Sequence, residues 1–133
     1  MLHIRYEKSP DVSNEALNDL FRHAWDTHTD RDFVPVLQHS LGWICAFDST
    51  SIIGFVNLAW DGGVHAFLLD TTVHIDYQRL GIGAQMVRYA LDLARRKSIE
   101  WVHVDYEPHL HDFYLQCGFQ PTLAGLWNAK INL

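Results

Sequence analysis

Residues 73–83 read Val73-His-Ile-Asp-Tyr-Gln-Arg-Leu-Gly-Ile-Gly83, and this stretch passes from a strand pattern to a helix pattern through two glycines. The first amides of a helix have no partner within it, and the aligned peptide dipoles place partial positive charge at that end. Phosphate oxygens satisfy both features. Because Gly81 and Gly83 carry no Cβ, a pyrophosphate can approach the backbone closely. The stretch therefore predicts a turn that binds a phosphorylated ligand.

Two well-known phosphate-binding turns do not fit this stretch. The loop of P-loop nucleotide triphosphatases requires Gly-Lys-Ser/Thr, which does not follow these glycines. The dinucleotide fingerprint GxGxxG fits in part, since Asp105 ends the next predicted strand, but Met86 stands in the place of its third glycine. About 50 residues follow the turn, too few for the paired βαβαβ halves of that fold.

The segments around the turn predict an α/β fold with a mixed sheet. Three runs rich in β-branched and aromatic residues predict an antiparallel meander over 43–47, 52–60 and 65–75. We expect a strand at 3–6, a helix capped by Ser13, and a second helix with Pro35 in its first turn before the meander. Apolar residues at helical spacing predict a helix from residue 81 to 94. After it we expect a strand at 101–106, a helix at 110–117 and a last strand at 126–133.

Composition limits the class of protein. A chain of 133 residues with 48% hydrophobic content has enough apolar side chains for one core. Its formal net charge of -6 argues against a nucleic-acid binder. The start has no signal-peptide pattern and no stretch approaches the ~20 apolar residues that span a bilayer, so we expect a cytoplasmic protein without a membrane partner. Cys45 and Cys117 are too few for a disulfide framework and are expected to be reduced.

The turn resembles the acetyl-CoA motif of the GNAT superfamily of N-acetyltransferases, QxxGxG, in Gln78-Arg-Leu-Gly-Ile-Gly. A second stretch, Phe113-Tyr-Leu-Gln-Cys-Gly-Phe, is similar to the last helix of that superfamily. The close match runs from about Thr71 to Pro121. The resemblance implies one N-acetyltransferase domain over residues 1–133. Its sheet would be mostly antiparallel, splayed between the fourth and fifth strands and flanked by about four helices.

The resemblance also implies acetyl-CoA as cosubstrate. Val73 and Ile75 would offer backbone groups to the pantetheine arm, and Arg79 would add charge at the phosphates. The amides from Leu80 to Ala84 would hold the pyrophosphate. The full set of residues expected to bind the cofactor is Val73, Ile75, Gln78, Arg79, Leu80, Gly81, Ile82, Gly83 and Ala84.

In this superfamily the acetyl group usually passes directly to an amine in a ternary complex. Tyr114 matches the superfamily's tyrosine and is the expected acid for the departing thiolate, with a core tyrosine as the alternative. Asp105 is the first choice for the base, because it would end a strand beside the thioester. Glu107 and Asp70 are rivals, and Glu107 stands where many relatives carry an Asn that contacts the pantetheine.

Several histidines and acids lie close together in the sequence after residue 102, namely His103, Asp105, Glu107, His109 and His111. Because side chains two apart at a helix start diverge, His109 and His111 cannot easily share one ion, and we expect no metal. The resemblance implies that the acceptor pocket is formed largely by residues 13–41 together with the last strands. Acidic and aromatic residues crowd residues 13–41 and suit a cationic amine.

The expected partner is therefore a small-molecule or peptide amine, with a homodimer left open as an assembly. Two other functions stay open at this point. One is a non-catalytic acyl-CoA-binding or regulatory module that has kept the turn. The other is a transferase of a different acyl group.

Overall fold

The computed structural model describes residues 3–131, and its strands form one sheet in the order in which they occur along the chain. The first four strands are antiparallel to their neighbours, and the fifth is parallel to the fourth. The strands are β1 (Ile4–Lys8), β2 (Ser40–Asp48), β3 (Ser51–Trp60), β4 (His65–Val73) and β5 (Trp101–His103). The predicted mixed, mostly antiparallel sheet is confirmed.

Four helices flank the sheet, as predicted. They are α1 (Asn14–Arg22), α2 (Val34–Gln38), α3 (Ile82–Arg96) and α4 (His111–Gln116), with 3-10 turns at Ile75–Tyr77 and Pro108–Leu110. The hydroxyl oxygen of Ser13 accepts a hydrogen bond from the Ala16 amide at 3.0 Å, which caps α1 as the sequence predicts. Pro35 lies in the first turn of α2, where its missing N–H costs nothing. Within residues 3–131 no helix is both long and apolar enough to cross a membrane.

The core lies on both faces of the sheet, because side chains of a strand point alternately to opposite sides. On one face Val56 and Leu58 of β3 pack with Met86 and Val87 of α3. On the other face Phe55 belongs to a cluster with residues of α1, of β2 and of the position before α2, namely Leu17, Leu20, Phe21, Phe33, Cys45 and Phe47. β3 is thus the central strand of a helix–sheet–helix sandwich.

The fourth and fifth strands part after three pairs, as the predicted splay requires. Residues 65–67 of β4 pair with Trp101–His103, whereas residues 68–73 continue without a β5 partner in the described part of the chain. β4 is bulged here, since its register with β3 shifts between Phe55 and Asn57 and Asp70 takes a φ of 58°. The predictions of a fifth strand reaching residue 106 and a fourth reaching 75 are wrong, because pairing ends at His103 and β4 ends at Val73.

The prediction of a last strand at 126–133 is also wrong for the residues that the structure describes. Residues 126–131 are exposed and outside the sheet, and residues 132–133 lie outside the described range. Phe119 still packs against the core cluster, but from residue 120 the chain leaves the sheet, so the strand pattern has no neighbour to pair with.

The central position of β3 leads to a stability prediction. Phe55 is 0% exposed, whereas Val34 is 51% exposed on the surface of α2. We expect Phe55→Ala to lower the free energy of unfolding by about 3–5 kcal/mol, because it leaves a cavity between helix and sheet. Val34→Ala is the control and should change it by less than about 0.5 kcal/mol. Urea unfolding measures both, and equal losses would contradict this packing.

Candidate functional site

The glycine turn lies where the sequence predicts it, between the end of β4 and the start of α3. Gly81 adopts a left-handed φ of 81°, which glycine takes without steric cost. The first hydrogen bond of α3 runs from the Gln85 amide to the Gly81 carbonyl at 3.1 Å. The amides of residues 82–84 precede that bond, and among the described residues no side chain caps the helix start. The turn therefore presents backbone donors at the positive end of a 15-residue helix.

Two side chains of the turn fasten it to the sheet. The Gln78 side-chain amide donates to the Val73 carbonyl at 3.0 Å, and the Tyr77 hydroxyl donates to the Asp48 carboxylate at 2.5 Å. The sequence marks Gln78 as part of the motif, and the structure gives it a contact within the protein. The Tyr77–Asp48 contact was missed, because no local signal links two residues 29 positions apart.

The predicted pantetheine contacts lie at the end of β4. The His74 amide donates to the Ile53 carbonyl of β3 at 2.9 Å. Because successive amides of a strand point to opposite edges, the Val73 amide points to the other edge of β4, where the pairing with β5 has ended. The Ile75 amide donates to the His23 carbonyl at 3.1 Å, and the Ile75 side chain is exposed. The backbone of Val73 is thus the group that faces the open edge.

The remaining predicted residues differ in what they present at the turn. Arg79 and Leu80 are exposed, with Arg79 in a left-handed conformation, and Ala84 is half-buried. The Ile82 side chain is buried in the core, so only the backbone of Ile82 is available to contact a ligand. A Cβ at Gly83 would lie 3.5 Å from the Phe113 ring and 3.7 Å from Val73 Cγ2. Gly83 therefore also brings α3, α4 and β4 close together.

Tyr114 lies beside the gap between β4 and β5. Its hydroxyl donates to Thr71 Oγ1 at 3.3 Å, and its ring stacks on Tyr106 with centroids 4.8 Å apart. Only 5% of the residue is exposed, and this burial raises the pKa of its phenol. The hydrogen bond between Tyr114 and Thr71 lowers that pKa, whereas the nearby Cys117 and Asp105 raise it. Tyr114 thus keeps its proton at neutral pH. Thr71 was not singled out from the sequence.

The three carboxylates proposed as the base differ in their exposure and in the groups that they contact. Asp105 lies two residues beyond β5, exposed on the same side as Trp101 and His103, and its charge reaches Tyr114. Glu107 is exposed at the start of the 3-10 turn Pro108–Leu110. Asp70 forms an ion pair with Arg31 at 3.2 Å. Of these three carboxylates, Asp105 is the one whose charge acts on the pKa of Tyr114, whereas Asp70 is paired with Arg31.

Two of the histidines that lie close together after residue 102, His103 and His111, contact other side chains. His103 Nε2 lies 2.8 Å from Nδ1 of His65, a diagonal contact between the last paired residue of β5 and the first paired residue of β4. The His103 ring stacks on Phe67, its partner in the pairing. His111 Nδ1 lies 3.1 Å from the Tyr106 hydroxyl. Within residues 3–131 no three His, Cys, Asp or Glu side chains form a group that could hold an ion. The expectation of no metal stays a prediction.

The predicted acceptor region borders the open half of β4. The Trp25 indole N–H donates to Thr72 Oγ1 at 3.1 Å, and the Arg31–Asp70 ion pair joins the same loop to the bulge. The Arg31 guanidinium also lies 4.5 Å from the Phe33 ring centroid. The loop at residues 23–33 is thus held against the strand beside the gap.

Comparison with known proteins gives consistent matches. Residues 10–119 match the model of the Acetyltransferase (GNAT) family. Over 71 residues the chain is 31% identical to an uncharacterized N-acetyltransferase of Porphyra purpurea. The matched stretch covers 53% of this chain and 41% of that protein. It therefore spans less than half the length of this curated relative.

Among solved structures, the fold is similar to that of a GNAT-family acetyltransferase of Streptococcus pneumoniae, with a TM-score of 0.78 and 24% sequence identity. The match covers 96% of this chain and 99% of that chain. It is also similar to that of an aminoglycoside N-acetyltransferase in complex with CoA, with a TM-score of 0.77 and 16% sequence identity. This match covers 96% of this chain and 95% of that chain. At these identities the likeness concerns the fold.

The buried phenol predicts a pH dependence. Because the pKa of Tyr114 is raised above the ordinary 10.0, its contribution to stability is complete below that pH and is lost as pH rises above it. We expect the free energy of unfolding to fall less steeply above about pH 10 in Tyr114→Phe than in the wild type. Urea unfolding at several pH values measures the slopes, and identical slopes would contradict the assignment.

Proposed function

Since the chain belongs to the Acetyltransferase (GNAT) family, we propose that it transfers an acetyl group from acetyl-CoA to a primary amine. The observation that carries this proposal is the uncapped start of α3 beside an open sheet edge. Within residues 3–131 no side chain caps this helix start, so its amides suit a pyrophosphate. In the same part of the chain no strand pairs with β4 beyond Phe67 on the β5 side, and this edge suits an extended amide-bearing arm. Few other ligands combine these two parts.

The cofactor contacts are proposed on this basis. The amides from Leu80 to Ala84 hold the pyrophosphate, with Gly81 and Gly83 allowing its approach, and Arg79 supplies a positive charge. The backbone of Val73 binds the pantetheine arm. Gln78 holds the turn by its bond to Val73, and Ile75 contributes its exposed side chain beside the arm.

The proposed chemistry uses the two groups at the gap. Asp105 removes a proton from the ammonium of the acceptor, and the free amine attacks the thioester carbonyl. As the carbon–sulfur bond breaks, the Tyr114 hydroxyl donates its proton to the thiolate. The nitrogen of the new amide loses its second proton through water to the phenolate, which restores Tyr114, and Asp105 releases the first proton to solvent. The net products are the acetylated amine, CoA and one proton.

The acceptor is proposed to be a small molecule or peptide with a cationic amine, bound between the loop at residues 23–33 and the gap. One protein of similar fold is an aminoglycoside N-acetyltransferase, which supports an amine acceptor. We further propose that residues 1–133 are one N-acetyltransferase domain that works in the cytoplasm. It would need no metal, nucleic acid or membrane partner.

The direct test is release of free thiol from acetyl-CoA with a panel of primary amines. The proposal expects release that depends on both the protein and an amine. Saturable CoA binding without release under any amine would favour the non-catalytic module. Faster release from propionyl-CoA or another acyl-CoA would favour a different acyl group.

The turn predicts a matched pair of glycine variants. Gly81 and Gly62 both have left-handed φ values, 81° and 82°, and a Cβ at either would meet nothing within 4 Å. Gly81→Ala and Gly62→Ala should therefore lose similar stability, about 1–2 kcal/mol. Only Gly81→Ala should weaken CoA binding, by ~10-fold or more, because it displaces the phosphate-binding amides. Isothermal titration measures both affinities, and equal losses would contradict the proposed site.

The catalytic pair predicts a loss of turnover without a loss of CoA binding. Tyr114→Phe and Asp105→Asn should each lower kcat by about 10²–10⁴-fold. Tyr89→Phe, an exposed tyrosine on α3, is the control and should leave kcat unchanged. Turnover equal to that of the wild type in both variants would remove these residues from the mechanism.

A further inference from the structure

The bulge in β4 adds one residue to the strand where it faces β3. The pairing advances by three residues in β4, from Leu69 to Thr72, while it advances by two residues in β3. Asp70 and Thr71 therefore both stand opposite Val56. Asp70 takes the left-handed φ of 58° at this point, which marks the start of the bulge.

The extra residue decides which face of the sheet Thr71 points to. Leu68 and Val73 both pack with the core cluster on the α3 face, although residues five apart on a regular strand point to opposite faces. The bulge removes this conflict, because it interrupts the alternation once. Thr71, two residues before Val73, therefore points to the α3 face, where α4 presents Tyr114.

Both neighbours of Thr71 are fastened on the other face of the sheet. The Asp70 carboxylate pairs with Arg31 at 3.2 Å, and Thr72 Oγ1 accepts the indole N–H of Trp25 at 3.1 Å. Thr72 is buried and Thr71 is half-buried. The Thr71 hydroxyl is thus held in place from both sides along the chain.

The ring of Tyr114 is fixed by the side chains around it. It stacks on Tyr106 with centroids 4.8 Å apart, and it meets the rings of Phe113 and Phe119 edge-on at 4.9 and 5.8 Å. Packing therefore sets the position of the phenol oxygen, whereas a hydrogen-bond partner sets the direction of its proton. Thr71 Oγ1 lies 3.3 Å from that oxygen, and a threonine hydroxyl can either accept or donate.

We propose that Thr71 is a positioning residue for Tyr114, and that the hydrogen bond between the two hydroxyls reverses during acetyl transfer. In the free protein the phenol donates to Thr71. When the thioester occupies the gap, Thr71 donates to the phenol oxygen, which leaves the phenol proton for the sulfur. The O–H bond of Tyr114 breaks as the S–H bond of CoA forms. The phenolate keeps the hydrogen bond from Thr71, whose own O–H bond stays intact. This role rests on the proposed acetyl transfer.

The electrostatics of the phenol agree with this direction. The bond with Thr71 lowers the pKa of Tyr114, as a donor to the phenolate does, and it opposes the burial that raises the same pKa. Other titratable and charged groups lie against the phenol or its neighbours, namely Cys117 on α4, Asp105 and Tyr106 beyond β5, and Arg88 on α3. None of these groups changes when Thr71 is replaced, so a difference between Thr71 variants reports the hydroxyl.

The first test compares Thr71→Val, which removes the hydroxyl at nearly constant size, with Thr71→Ser, which keeps the hydroxyl. Thr71→Val should lower kcat by about 10-fold or more, because it removes a hydrogen bond to a charged oxygen. The KM for acetyl-CoA should stay within about 2-fold, because the bond strengthens only as the phenolate forms. Thr71→Ser should restore most of kcat. Thr50→Val, at an exposed threonine in the turn between β2 and β3, is the control and should leave kcat unchanged.

Two further measurements separate positioning from packing. In a Tyr114→Phe background Thr71→Val should lower kcat no further, because Thr71 acts through the phenol. The ¹³Cζ resonance of Tyr114, assigned by its loss in Tyr114→Phe, should titrate at a higher pKa in Thr71→Val than in the wild type or Thr71→Ser. Loss of a bond that lowers the pKa raises it, so the alkaline limb of kcat should also move to higher pH.

Each of four results would overturn the proposal. These are a wild-type kcat in Thr71→Val, an equal loss in Thr71→Ser, an equal loss in the Tyr114→Phe background, and an unchanged pKa of Tyr114 in Thr71→Val. If the wild type releases thiol with no amine, the proposed function fails and this role fails with it. That result is seen in the wild type alone, so it is distinct from a failure of Thr71 in an active protein.

Discussion

The early end of the pairing between β4 and β5 is the constraint on which the site depends. The two strands share three residue pairs and then separate, because β5 stops at His103 while β4 continues past its bulge. The bulge is held by Thr72, whose hydroxyl donates to the Asp70 carbonyl at 2.9 Å and accepts from Trp25. A closed sheet would leave no room for an extended ligand between strands.

The gap between β4 and β5 lies next to the start of α3, because β4 borders the gap and continues through the turn into that helix. β4 separates from β5 and runs through the turn fastened by Gln78 into α3. In the described chain, residues 3–131, the edge of β4 without a strand partner and the helix start without a side-chain cap are therefore consecutive. Tyr114 closes the other side of this path, since α4 packs against α3 at Gly83 and against β4 at Thr71. The same packing raises the pKa of Tyr114 and keeps its proton available.

The sequence predicts those parts of the site that arise from local physics. Glycine spacing identifies the turn, capping identifies the start of α1, and alternation identifies the meander, because each pattern reflects contacts close in the chain. The Tyr77–Asp48 and Tyr114–Thr71 bonds could not be predicted, since they join residues far apart in sequence. The prediction of a last strand is wrong for the described residues 126–131 for a related reason, because alternation indicates a strand but does not supply its neighbour.

The central claim is that the turn at residues 78–84 and the open edge of β4 bind one ligand, CoA. Titration of the ¹⁵N-labelled protein with CoA, followed by amide chemical shifts, tests it most directly. The account predicts saturable shifts that are largest at residues 80–84 and at Thr71 to Val73. Binding that shifts only amides distant from this turn, or no binding at millimolar CoA, would contradict it.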